Sequence, residues 1–421
     1  MVSAAAGLSD RMESVVNTSA VRRETFAEPG LKRLRVHELT GSAVCDDAVT
    51  ELGAALFSTF RRKDQRLKAD QYLRGLLFAK GRKSIRNIAA HVGGAAAEQS
   101  LHHFISSSTW DWRPIRTELA GYLERTAAPR AWVVGPLHIP KAGEHSVGVD
   151  RLFAPRLGHM FRGQQAFGLW FAAEEMSVPV NWRLLLPEPW VEDHERRERA
   201  EVPREAGRET PEECAVAVAL DTARYGNVTR RPVLLDLRGG AVRPALAQLA
   251  RARVPVVGRI GASCRLTVAD RSLPGFGAGP LPAQQIMEST KGLRRPVHWL
   301  DPARPHASHT SLASVVRVSL LDPQMGRQRP MLLLGEWRDP RRPPVRFWLT
   351  DLMSAPVAPL LRLTKLTRRV DRDYAETGEE VGLRDFVGRS FRGWHRHITL
   401  ASAAHAAAVL STGGLGLEDV A

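Results

Sequence analysis

The spacing of apolar residues changes once along the chain, near Pro129. Before this point apolar residues recur every three or four positions, which predicts an N-terminal helical domain over residues 41–128. Residues 1–40 are small, polar and charged without this periodicity, so we expect a mobile tail there. The two clearest helical stripes are Leu52, Ala55, Leu56 and Phe60, then Tyr72, Leu73, Leu76 and Leu77.

Two shorter helices are predicted over residues 85–92 and 96–105, with Gly93 and Gly94 between them and Ser84 as the N-cap of the first. This outline is that of a helix-turn-helix, whose second helix enters the major groove of DNA. The flanking Arg82, Lys83 and Arg86 are therefore candidate DNA contacts. An ordinary helical bundle with a solvated basic face fits the same pattern.

After Pro129 short apolar runs predict strands over residues 131–134, 165–172 and 181–186. A further buried strand, over residues 231–235, leads into Asp236, a glycine turn, a helix over 243–252 and a strand over 254–260. The order strand, turn, helix, strand indicates an α/β sheet, whose first part we place at residues 129–262.

Residues 263–330 are rich in Gly, Pro and Ser with scattered strand signals, and are interpreted as an inserted β-rich subdomain. Strands over 331–337 and 345–350 and helices over 357–376 and 393–410 then complete the core, whose second part spans residues 331–412. Residues 413–421 are expected to form a C-terminal tail.

Composition narrows the class of protein. Cys45, Cys214 and Cys264 are far apart, which argues against a disulfide framework and a thiolate zinc site. No signal peptide or run of membrane-spanning length is found, so we expect a cytoplasmic, nucleoid-associated protein without membrane contact.

Sixty Lys and Arg against 45 Asp and Glu give a net charge of +15, which favours double-stranded DNA as the partner. An Arg-rich genome composition is the alternative explanation of this excess.

Four stretches occur in the order seen in one protein family: LHHFISSSTWDW from Leu101, IPKAGEHSVGV from Ile139, WRLLLPEPW from Trp182 and VGLRDFVGRSFRGWHRHITLASAAHA from Val381. Together they resemble the insertion-sequence DDE transposases with a Tyr-Arg-Glu-Lys signature. The resemblance extends over about residues 70 to 410. It implies a ribonuclease H-like mixed-sheet core in which three carboxylates hold two Mg²⁺ ions that activate water or a DNA 3′-hydroxyl.

The acidic residues depart from the family pattern. Gly135 and Pro136 stand where the first strand of the family carries paired Asp. The second carboxylate is matched by Asp236 and the third, a Glu in the family, by Asp371. We take these two as the candidate catalytic and metal residues, and expect impaired Mg²⁺ binding. Glu144 or Asp150 as a replacement ligand is one alternative, and ordinary strand-end and helix-surface roles for Asp236 and Asp371 are another. The Tyr, Arg and Lys positions of the signature are also changed, to Thr364, Thr367 and Gly378 respectively.

The basic positions are better preserved. Lys141, His145 and Ser146 lie in a motif that matches the family, and Arg389, Arg392, His395, Arg396 and His397 cluster at the start of the last helix. We predict that Lys141, His145, Arg389, Arg392, His395 and Arg396 contact DNA phosphates. Trp394 falls on the apolar stripe and is predicted to be a core residue. His395 and His397 do not share a helix face, which argues against a metal site.

The sequence therefore predicts a DNA-binding transposase-family protein that is impaired in strand cleavage. The resemblance also allows a homodimer on DNA ends. The alternatives are an active transposase with a displaced metal ligand, a domesticated DNA-binding regulator, and a remnant without function.

Overall fold

The computed structural model describes residues 43–154, 158–321 and 326–414. The predicted N-terminal tail, residues 1–40, and residues 415–421 of the predicted C-terminal tail lie outside the described residues. The described residues belong to one compact unit. Among the described helices none is long and apolar enough to cross a membrane.

The N-terminal part is helical, as predicted. Ser84 caps the third helix, since its side chain accepts a hydrogen bond from the backbone N–H of Asn87 at 3.2 Å. Gly94, with φ of +68°, makes the turn into the fourth helix. The predicted pair of short helices with a glycine turn is therefore present. The five helices are α1 Ala43–Phe57, α2 Lys63–Phe78, α3 Ile85–Val92, α4 Ala95–Ser106 and α5 Arg113–Thr126.

The central sheet begins after α5. Its first elements are β1 Ala131–Pro140, β2 Asp150–Ala154, β3 His159–Ala172, β4 Ser177–Leu184, α6 Glu188–Glu192, α7 His194–Arg199, α8 Pro211–Ala223, β5 Val233–Asp236, α9 Val242–Arg251 and β6 Val256–Ile260. Strand β3 is antiparallel to β1, whereas β5 and β6 are parallel to it. The order β3-β1-β5-β6 with β2 and β4 beyond β3 is that of a ribonuclease H-like core.

Strand β1 is longer than predicted, because it continues past Val134 to Pro140. Its pairing with β5 covers only Trp132 and Val133, whereas its pairing with β3 extends over the whole strand. The edge of β1 beyond Val133 therefore has no ladder partner in β5. Pro136, which has no N–H to donate, is accommodated at such an open edge.

The predicted insertion is β-rich but adds strands to the same sheet. Strand β10 pairs with β11 along ten residues, from Leu312↔Trp337 to Leu321↔Gln328. These strands bury Val316, Val318 and Leu333, so the core continues through the predicted boundary at residue 330. The elements within the predicted insertion are β7 Arg265–Val268, β8 Pro280–Pro282, α10 Ala283–Ser289, β9 Arg295–Asp301 and β10 Arg304–Leu321, and β11 Gln328–Trp337 and β12 Arg346–Thr350 follow them.

Two C-terminal helices cover one face of the sheet. Helix α11, Val357–Asp373, runs into a π-helical turn at Tyr374–Gly378, and α12 spans Phe391–Gly414. Helix α12 is buried on all sides from Gly393 to Val409, because it packs between β4 and the N-terminal helices. Trp394 is buried there, as predicted.

A buried arginine connects the helical part to the sheet. Arg116 of α5 is only 3% exposed. Its guanidinium donates to Thr399 Oγ1 at 2.7 Å, to Asn181 Oδ1 at 2.9 Å and to the carbonyl of Trp182 at 2.8 Å. It also donates to Nδ1 of His395 at 3.0 Å, and burial together with the charge of Arg116 keeps the pKa of that imidazole well below its ordinary value. One side chain thus links α5, β4 and α12.

We predict that Arg116→Met lowers the free energy of unfolding by about 3 kcal/mol or more, because several buried acceptors lose their donor. Urea denaturation followed by circular dichroism measures this. The matched control is Arg113→Met, one turn earlier in α5 and exposed, with an expected change within about 0.5 kcal/mol. Equal stabilities of the two variants would contradict a joining role for Arg116.

Candidate acidic site and nucleic-acid interface

The acidic site of the fold is defined by the register of β1 and β5. Trp132 pairs with Val233 and Val133 with Leu234, so two residues further on Gly135 is level with Asp236. Because side chains alternate along a strand, Gly135 lies on the same face of the sheet as Val133, and Asp236 on the same face as Leu234. A Cβ built at Gly135 would lie 3.9 Å from Val370 Cγ1 of that helix. The residue of α11 next to Gly135 is therefore a valine.

The space beside Gly135 is otherwise filled by an indole. A Cβ at this position would lie 3.7 Å from Nε1 of Trp170, an ordinary van der Waals contact. A side chain at residue 135 is thus sterically acceptable, and its absence is not forced by backbone packing. Pro136 points to the opposite face of the sheet, so of these two residues Gly135 is the one on the face of Val370.

Asp236 is already paired with a cation from its own turn. Arg238 Nη2 lies 2.6 Å from Oδ2, Arg238 Nε donates to Oδ1 at 2.9 Å, and the backbone N–H of Arg238 donates to Oδ1 at 3.1 Å. Partial burial raises the pKa of Asp236, but the hydrogen bonds and charge of Arg238 and the charge of Arg259 outweigh it, so the pKa lies below its ordinary value. The carboxylate therefore stays ionised as half of an ion pair.

Asp371 is exposed on α11, next to the buried Val370. Its negative charge acts on Arg368 of the same helix. Of the two proposed replacement ligands, Glu144 pairs with Arg162 at 3.1 Å and Asp150 accepts from the backbone N–H of Arg151. Within residues 43–154, 158–321 and 326–414 no group of three or more His, Cys, Asp or Glu side chains is placed to hold a metal ion. The residues that are present do not fit a two-metal site.

Sequence reasoning missed the buried charges that fix α11 on the sheet. Lys365 Nζ lies 2.5 Å from Glu336 Oε1 of β11, and Arg368 pairs with Asp301 of β9 at 2.5 Å. At the other end of the helix Arg369 pairs with Asp373, which also accepts from the backbone N–H and the hydroxyl of Ser177. A signal was available in one case, since Glu336 follows the apolar run MLLLG of a buried strand.

Five of the predicted DNA contacts are exposed, namely Arg82, Arg86, His145, Arg389 and Arg392. Contacts between their segments bring several of them close together. Lys141 donates to the carbonyl of Phe386, and the carbonyl of Arg389 accepts from the backbone N–H of Val147 at 3.1 Å. Burial and the charge of Arg82 lower the pKa of Lys141 to about 8, against the opposing effect of Asp385. We call Arg82, Lys141, His145, Arg389 and Arg392 the basic surface.

The other three predicted contacts are buried and need correction. Lys83 donates from Nζ to the carbonyls of Leu77 and Ala79 at the end of α2. Arg396, 1% exposed, donates to the carbonyls of Ile105 and Trp110, and burial lowers its pKa to about 10. His395 accepts from Arg116 and stacks on Trp112 with ring centroids 4.7 Å apart. These donors and rings satisfy helix ends and the domain junction, so they are not available to DNA.

His397 also has a structural position. Its Nδ1 lies 2.8 Å from the hydroxyl of Tyr72 and its Nε2 lies 2.9 Å from the carbonyl of Gly382. Burial lowers the pKa of His397 to about 4. The imidazole is therefore neutral, donates from Nε2 and accepts from the tyrosine.

The sheet order and the place of Asp236 define a nuclease-type α/β core of the ribonuclease H-like class. Residues 55–316 match the family described as DDE superfamily endonuclease, which is more than half of the chain. The chain belongs to this family, whose members include DDE-type transposases. A comparison with curated proteins finds no match.

We predict that Arg238→Gln raises the pKa of Asp236, because the variant loses the charge and the guanidinium hydrogen bonds of Arg238 and keeps only the backbone N–H of residue 238 and the charge of Arg259 against partial burial. A ¹³C NMR pH titration of the Asp carboxyl measures the shift. The pair contributes stability above the pKa of the unfolded chain and loses it as the pH falls through the lowered pKa of the folded state. The stability difference between wild type and variant should therefore narrow in acid.

The control for this titration is Arg224→Gln, at the opposite end of β5, which should leave Asp236 unchanged. An Asp236 pKa that does not respond to Arg238→Gln would show that the guanidinium is not what keeps this carboxylate ionised.

Proposed function

We propose that this chain binds double-stranded DNA and has lost the metal-dependent strand cleavage of its family. The observation that carries the proposal is Gly135, which has no side chain, lies two residues beyond the β1–β5 ladder and is next to Val370 of α11. Asp236, two residues beyond the same ladder on β5, is paired with Arg238. Two divalent ions carry four positive charges and need several oxygen ligands, which one ion-paired carboxylate does not supply.

DNA binding is supported by the basic surface. Its residues come from the loop before α3, the loop after β1 and the start of α12 with the segment before it, and contacts between these segments hold them together. Arginine suits phosphate because its planar group donates several hydrogen bonds in a fixed geometry. The net charge of +15 adds long-range attraction to a polyanion.

The chemistry left to the protein is binding and orientation. Arg82, Arg389 and Arg392 supply permanent charges, whereas Lys141 loses its charge as the pH rises through about 8. An active enzyme with a displaced ligand requires a carboxylate against Gly135, and that position is bordered by Trp170 and Val370. The geometry therefore favours a protein that binds DNA without cleaving it, as a domesticated regulator does.

We predict that duplex DNA binding is strongly salt-dependent, with each neutralised phosphate contributing about −0.9 to the slope of log K against log salt. Arg389→Ala with Arg392→Ala should weaken binding and make the slope shallower by about 2. Fluorescence anisotropy over a salt series measures both quantities. Arg224→Ala with Arg230→Ala removes the same charge at the opposite end of β5 and is the matched control.

A flat salt response of the wild type would dispose of the DNA-binding proposal. An equal loss of affinity in the two double variants would show that only net charge matters, and not the basic surface.

We predict no nicking of supercoiled DNA in Mg²⁺ or Mn²⁺, and little effect of Asp236→Ala on DNA affinity. The reconstruction is Gly135→Asp combined with either Asp371→Glu, which follows the family register, or Val370→Glu, which follows the contact with residue 135. Nicking gained by one of these pairs identifies the position of the third carboxylate. Nicking by the wild type that disappears in Asp236→Ala would overturn the proposal.

A further inference from the structure

Strands β2 and β3 form a hairpin with two large apolar side chains in solvent. Phe153 and Met160 are directly opposite each other in the antiparallel register, and are 55% and 57% exposed. Opposite residues of an antiparallel pair point to the same face. The two side chains therefore form one apolar patch on a two-stranded ribbon, where they add nothing to the core.

An arginine pair precedes this patch on the same face. Arg151 is opposite Arg162, two residues from Phe153 and Met160 along each strand, which corresponds to roughly 7 Å. Like charges directly opposite each other destabilise a hairpin. Glu144 pairs with Arg162 and offsets part of this charge. An anion bound beside the pair would remove the remaining repulsion.

The hairpin is continuous with the basic surface. The backbone N–H of Lys141 donates to the carbonyl of Arg162 at 3.0 Å, and Glu144 lies in the same loop as His145. Strand β1 ends where the hairpin begins, since Pro140 pairs with Gly163. A duplex on the basic surface therefore has the face of Phe153 within its path.

We propose that this hairpin face binds DNA at an unpaired or unstacked base, with Phe153 and Met160 against the base and Arg151 and Arg162 on the flanking phosphates. The inference rests on the proposed DNA binding and adds the form of DNA preferred. An aromatic ring stacks on any base, whereas a paired base must first leave its stack at a cost of a few kcal/mol. DNA that is already distorted avoids that cost.

A second copy of the chain is the other occupant to consider for an apolar patch. A two-fold contact places the same surface on both partners. Here it would bring one arginine pair against another, and this repulsion opposes association. The charge of the face thus matches a polyanion and not a copy of itself.

The experiment compares a fully paired duplex with the same duplex carrying a short bulge, by anisotropy with the full-length protein. The wild type should prefer the bulged DNA. Phe153→Ala should weaken binding to bulged DNA by about tenfold, as expected for loss of one stacked base, and change binding to paired DNA little. Arg151→Ala should weaken both and reduce the salt slope.

Phe276→Ala is the matched control, because Phe276 is 47% exposed and lies between β7 and β8, at the other edge of the sheet. It should leave the preference unchanged. Equal wild-type affinity for paired and bulged DNA, or an unchanged preference for bulged DNA in Phe153→Ala, overturns the inference. The proposed function still holds in that case if duplex binding is salt-dependent. If the protein binds neither DNA, both the inference and the proposed function are wrong.

Sedimentation of the same proteins without DNA tests the other occupant. We expect the oligomeric state of Phe153→Ala to equal that of the wild type. A dimer that dissociates in this variant would assign the face to a second copy and contradict the DNA assignment.

Discussion

The fold depends on a guanidinium placed where water cannot reach it. Arg116 must find acceptors for its donors within the protein, and it does so on β4 and α12 at once. An arginine keeps its charge under all ordinary conditions, so an unsatisfied one in the interior is costly. The requirement fixes the helical part against the sheet. It therefore also fixes the distance between Arg82, before α3, and Arg389, before α12, on the surface proposed for DNA.

The acidic site also contains a charge that needs a partner, and here the partner is a cation of the protein. A carboxylate at the end of a buried strand needs positive charge nearby, which divalent ions supply in the family. Here Arg238 supplies it from two residues away, and Asp236 remains ionised without a metal. Val370 packs in the core and Gly135 has an ordinary contact distance to Trp170, so the fold does not depend on carboxylates at these two positions. In the proposed function, DNA binding by the basic surface is therefore separate from cleavage, which needs the acidic site.

The sequence predicted those features that depend on local patterns. The helices from α1 to α4, the capping by Ser84, the strand leading to Asp236 and the burial of Trp394 were predicted from spacing and residue type, and the family match confirmed the resemblance. Sequence-based prediction was wrong for buried charged side chains, because the residue types of Lys83 and Arg396 do not distinguish a buried cation from an exposed one. The run of small residues in α12 was a usable signal, since a helix apolar on all sides is buried on all sides. Whether Val370 or Asp371 faces Gly135 depends on the rotation of α11 about its axis, and a single sequence does not determine this rotation.

The central claim is that DNA is bound without a protein-held metal. Electron paramagnetic resonance of Mn²⁺ titrated into the protein–DNA complex tests it most directly, with DNA alone as the reference. The account predicts that the complex and the DNA reference give the same amount of free aqueous Mn²⁺ signal, and that EDTA leaves DNA affinity unchanged at matched ionic strength. A protein-dependent loss of the free Mn²⁺ signal that is absent in Asp236→Ala would contradict it.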